Sequence, residues 1–155
     1  MKHRSVIINN IQDIIPMLAG KVFHATPTTN MKFIRESGGL VPGTELLYRD
    51  YIWDSSNGFF RRRGCVSFFD YRNFGTSQWK NDDVFKCFPT QGLNPGESVS
   101  ILFLDESEFN MLIPSTVWNE EEAWTEVIVP HIEVGYKGKV SLNHICEEWV
   151  VSLSM

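Results

Sequence analysis

Val22-Phe23-His24-Ala25-Thr26-Pro27, running on to Gly38-Gly39-Leu40-Val41-Pro42, is the stretch on which the fold turns. Val22 and Phe23 read as the apolar end of a strand. Residues two apart in a strand point to the same side, so His24 and Thr26 can offer an imidazole and a hydroxyl to one ligand. A short helix follows, expected over about residues 29–37. Thr28 or Thr29 can cap it, Met31 and Ile34 share a face, and Gly38 suits the left-handed residue past its end. The unit is therefore strand, polar pair, short helix, glycine turn. A histidine at a strand end can equally be a satisfied structural residue.

The surrounding chain reads as one domain, residues 1–155. Its formal net charge of −5 argues against a general nucleic-acid coat, whose affinity comes from neutralising phosphates. Arg61-Arg62-Arg63 is a local basic patch, expected to send at least one guanidinium toward a cleft or an anion. Phe 11, Trp 5 and Tyr 4 are enough rings both to fill a core and to stack on a flat ligand. The three cysteines, Cys65, Cys87 and Cys146, lie far apart, without C-x-x-C or metal-ligand spacing. An odd count with no signal peptide implies reduced thiols and a cytoplasmic location. No stretch is apolar for long enough to span a membrane.

In chain order, Ser5 to Ile8 is expected as a strand. Ile11, Ile14, Ile15 and Leu18 then follow helical spacing from a cap at Asn10 to a stop at Gly20, with Pro16 awkward inside. The stretch from Thr44 to Phe60 is aromatic, aperiodic and loop-like, holding Tyr48, Arg49, Tyr51 and Trp53. It suits a binding loop, or a loop whose rings are pinned to the core. Gly64 to Asp70 and Ser98 to Leu104 read as buried strands. Gln91 to Gly96 reads as turns, and Asp105 to Met111 as a helical turn. Val140 to Leu142 reads as a short strand, and Glu147 to Leu153 as a final strand or helix. The sum is a strand-rich α+β domain with one or two short helices.

Ala123-Trp124-Thr125-Glu126-Val127-Ile128-Val129-Pro130 is the second informative stretch. As a strand it sets Glu126 among apolar neighbours on both faces. Burying a carboxylate is costly without a partner, so Glu126 belongs to an ion pair, a sheet rim or a functional cleft. The acidic run Glu120 to Glu122 reads as a solvated rim. There is no G-x-G-x-x-G, P-loop or G-x-S-x-G elbow, and Cys65 has the apolar flanks of a core thiol.

Taken in order, the His-x-Thr strand end, the short helix closing on Gly-Gly-Leu, the Gly-Cys-Val-Ser-Phe-Phe strand and the Thr-Glu-Val-Ile-Val-Pro strand resemble the ADP-ribosyltransferase superfamily. The likeness is greatest to its DNA-targeting, DarT-type branch and covers about residues 20–145. It implies split antiparallel sheets around an NAD-binding cleft. It also implies His24 as ribose ligand with Thr26 beside it, and Glu126 as the catalytic residue. The nicotinamide-stacking ring is left open among Tyr48, Tyr51, Phe69 and Tyr71, and the site arginine among Arg49 and Arg61 to Arg63. The implied activity is transfer of ADP-ribose from NAD to a DNA, RNA, nucleotide or protein acceptor, with no metal and no membrane. That activity would suit a toxin or a phage-defence or counter-defence protein. The alternative is an inactive nucleotide- or partner-binding protein of the same fold.

Overall fold

A computed structural model describes residues 1–42, 63–77, 79, 84, 88–114 and 132–155. Nine strands are found there: β1 Lys2–Ile8, β2 Val22–Pro27, β3 Gly39–Leu40, β4 Cys65–Asp70, β5 Ser98–Leu104, β6 Leu112–Pro114, β7 Glu133–Lys137, β8 Val140–Ser141 and β9 Ile145–Leu153. The α-helix α1 spans Met31–Ser37. Seven strands form a mixed sheet in the order β1-β9-β5-β2-β4-β7-β6, and β3 pairs with β8 in a second, two-stranded sheet. The α+β class is thus observed. Where the sequence suggests two small sheets, the described strands gather mostly into one large sheet. The first and last strands close it as a parallel pair, while its other ladders are antiparallel.

Strand alternation sorts the core into two layers. Phe23, Ala25, Phe69, Ile101, Phe103 and Trp149 pack on one face with Ile14, Ile15 and Leu18. Val22, Phe68, Leu102 and Tyr136 pack on the other face with Met31 and Ile34 of α1. The segment carrying Ile14 and Leu18 keeps its expected apolar face but winds as a 3₁₀ helix, Ile11–Leu18, around Pro16. Proline has no N–H to give an α-helical bond. α1 ends on Gly38 at φ 77°, the left-handed position expected of it. The Thr28–Asn30 turn that leads into α1 is 3₁₀, and Asn30 stands at the helix start without a side-chain cap bond.

The ladder between β2 and β4 has two registered pairs, Val22 with Asp70 and Phe23 with Phe69. Beyond them β2 stays on β5 as far as Pro27, and β4 stays on β7 as far as Cys65. The seven-stranded sheet is therefore a four-strand half and a three-strand half joined over a short seam. It forks on the His24 side of Phe23. No described helix is long and apolar enough to cross a membrane.

Candidate functional site at the strand fork

His24 is the first residue past the seam. Had the ladder continued, the next hydrogen-bonded step would set Ala25 opposite Ser67. Instead the Ser67 carbonyl accepts from His24 Nδ1 at 2.8 Å. A side chain thus satisfies a backbone oxygen that the fork would leave unpaired. A carbonyl only accepts, so Nδ1 carries the proton and Nε2 of the neutral ring is an acceptor. Burial pushes the His24 pKa down, and the bond to Ser67 offsets this in part. The neutral form is the one favoured. The ring also meets Phe68 edge-on at 5.9 Å. Among the described residues Nε2 has no hydrogen-bond partner, and the side chain is only half-buried.

Thr26 lies on the same face, as its spacing requires, but its side chain is buried. Asn30 Nδ2 donates to Thr26 Oγ1 at 3.0 Å, so the hydroxyl ties the Thr28–Asn30 turn to β2. Thr26 therefore stands behind His24 as a brace. Tyr71 requires a correction. It is 0 % exposed and packs edge-on against Phe23 at 4.8 Å and Trp79 at 5.0 Å, in the core on the opposite face from His24. Phe69 lies in that same core. Neither ring can stack on a ligand held by His24, because alternation along β4 turns both away from it. Tyr48, Arg49, Tyr51, Arg61, Arg62, Glu126 and His131 lie outside the described residues. Arg63 is half-buried just before β4. Cys65 is a buried thiol whose pKa burial pushes up, in keeping with a core role. Among the described residues no group of three or more His, Cys, Asp or Glu side chains is placed to hold a metal.

Two polar clusters flank the fork on the His24 face. In one, the Glu148 carboxylate of β9 accepts from Ser100 Oγ at 2.8 Å and from Arg35 Nη2 at 3.1 Å, and His3 Nδ1 lies 3.1 Å away. In the other, Tyr136 donates to Glu108 Oε1 at 2.5 Å, which raises the phenol pKa to about 12. His144 Nδ1 is 3.0 Å from the same oxygen. Glu148 is not legible in the sequence, because Ser100, Arg35 and His3, which meet it, come from distant segments. The available signal is Ser100, a hydroxyl between Val99 and the apolar run Ile101 to Leu104 of β5. A small cavity of about 70 Å³ lined by Pro27, Pro89, Leu93 and Val99 opens at the far end of β2. Val99 belongs to the core layer opposite His24, so this space is separate from the fork. No family model, curated protein or solved structure matches the chain.

Proposed function

We propose that the chain is an NAD-dependent ADP-ribosyltransferase whose nucleotide lies in the fork between β2 and β4. The observation that carries this reading is His24 at the fork, its Nδ1 tied to Ser67 and its Nε2 without a partner among the described residues. A neutral, oriented imidazole with a vacant acceptor nitrogen suits a ribose hydroxyl, which can donate to it. The short seam supports this reading because β2 and β4 part beyond Phe23 and leave space beside His24.

In this reading the bond between ribose C1′ and the nicotinamide nitrogen breaks, and its electron pair neutralises the pyridinium ring. The oxocarbenium-like ribose is then captured by a nucleophile of a nucleic acid, nucleotide or protein, which loses a proton. Glu126 supplies the carboxylate that stabilises the developing positive charge. Tyr48 or Tyr51 supplies the stacking ring in place of Tyr71, and Arg49 pairs with the pyrophosphate.

The test is nicotinamide release from NAD by the purified protein. The wild type is expected to release it, and Glu126→Gln to lower the rate about a hundredfold with melting unchanged, the size of losing one preorganised electrostatic group. An NAD-dependent rise in melting temperature without turnover would favour a binding protein of the same fold. Neither release nor thermal response would end the nucleotide reading.

A further inference from the structure

Glu148 is 1 % exposed, yet the Arg35 and His3 side chains that meet it are half in solvent, at 56 % and 61 %. Exposed partners add little stability, and burying a carboxylate costs desolvation that an apolar side chain would avoid. What the carboxylate adds is direction. Ser100 Oγ lies 2.8 Å from Glu148 Oε2 and 3.1 Å from Thr28 Oγ1. A hydroxyl has one proton, and an ionised carboxylate can only accept, so the Ser100 proton goes to Glu148. The Thr28 hydroxyl must then donate to Ser100. The result is a directed chain from Thr28 through Ser100 to Glu148.

That chain ends on the turn that follows the His24 strand. Thr28 and Asn30 belong to one turn, and Asn30 grips Thr26. Arg35, near the end of α1, is held by the other carboxylate oxygen. Met31 and Ile34 of the same helix pack in one cluster with Val22, Phe68 and Leu102, from the strands on either side of the seam. One buried group thus anchors both the turn that follows Pro27, where β2 has parted from β4, and the helix packed in the same layer as Val22 and Phe68.

We propose that Glu148 is a positioning residue for the nucleotide site: through Ser100, Thr28 and Arg35 it fixes the turn after β2 and the helix α1, and so sets the affinity for the ribose-bearing ligand. This rests on reading the fork as the NAD site. Thr28 is only partly buried, so it can be changed without disturbing the core.

Thr28→Val keeps the shape and removes the first hydrogen bond, while Thr28→Ser keeps the bond. Calorimetric titration with NAD is expected to show Thr28→Val weakened about tenfold and Thr28→Ser unchanged, as for one lost hydrogen bond. Nicotinamide release at saturating NAD should stay within about twofold of wild type, because positioning for binding leaves the chemical step alone. Equal affinity of wild type and Thr28→Val, or a Thr28→Ser variant as weak as Thr28→Val, would overturn the proposal. If the wild type itself binds no NAD, the nucleotide reading has failed. Amide hydrogen exchange over residues 28–31 then decides the positioning role separately. Exchange about tenfold faster in Thr28→Val sustains it, and unchanged protection ends it.

Discussion

Ser100→Ala is the most telling perturbation of the fold. Ser100 is fully buried on β5, between Glu148 and Thr28. Removing its hydroxyl leaves Glu148 Oε2 without its 2.8 Å donor and takes away the acceptor of the Thr28 proton. A hydrogen bond to a charged group contributes about 1.5–3 kcal/mol, and the stranded buried oxygen keeps its desolvation cost. A loss of about 2 kcal/mol lowers the melting temperature of a chain this long by roughly 4–8 °C. The natural control is Ser154→Ala. That hydroxyl donates to the exposed Asn9 at 2.8 Å, so its loss should stay within about 0.5 kcal/mol. Thermal unfolding of both variants by circular dichroism is the assay. Adding Glu148→Gln to Ser100→Ala should recover about 1 kcal/mol, because the oxygen that lost its donor is no longer a buried charge. Melting of Ser100→Ala within about 1 °C of wild type would refute the network, since it would mean the carboxylate never depended on Ser100.

Other expectations follow from His24 and Gly39. Burial holds the His24 pKa below 6.5, so the folded state favours the neutral ring. Its contribution to stability is complete above 6.5 and is lost as pH falls from there through the folded pKa, where the unfolded chain binds the extra proton first. His24→Gln should flatten that acid limb in thermal unfolding, and an imidazole midpoint at or above 6.5 by NMR would contradict it. At Gly39 an added Cβ would lie 2.1 Å from the Val140 carbonyl oxygen across the β3–β8 ladder. Gly39→Ala should therefore separate those strands and destabilise more than Gly20→Ala, which meets nothing within 4 Å and bears only the backbone strain of φ 80°, as urea unfolding of the pair would show.

The parts of the fold that sequence reveals are those written locally. The His24 strand, the Met31–Ile34 helix face, the Gly38 stop and the β5 run all announce themselves in side-chain spacing and turn chemistry. Asp105 does the same at the Glu106–Met111 turn, where its side chain accepts from the Ser107 N–H. What escapes is set by pairings between distant segments. Nothing in Lys2–Ile8 shows that it lies parallel to Ile145–Leu153, yet that pairing makes β9 an inner strand and buries Glu148. Tyr71 misleads for a related reason. It follows a buried strand into polar turns and so reads as available, while the register of β4 on β2 sends it into the core beside Phe23. The fork is equally invisible beforehand, because it depends on where a ladder stops. Glu133–Lys137 carries too weak a pattern to be read as a strand, with Gly135 and two charges among its five residues.

The central claim is that the fork at His24 receives NAD through Nε2. Its most direct measurement is the ¹⁵N resonance of His24 Nε2 in the folded protein during titration with NAD. The account predicts a saturable change at Nε2 as it accepts a ribose hydroxyl, with Nδ1 staying protonated on Ser67. A His24 signal unmoved by NAD at concentrations that saturate nicotinamide release would contradict it.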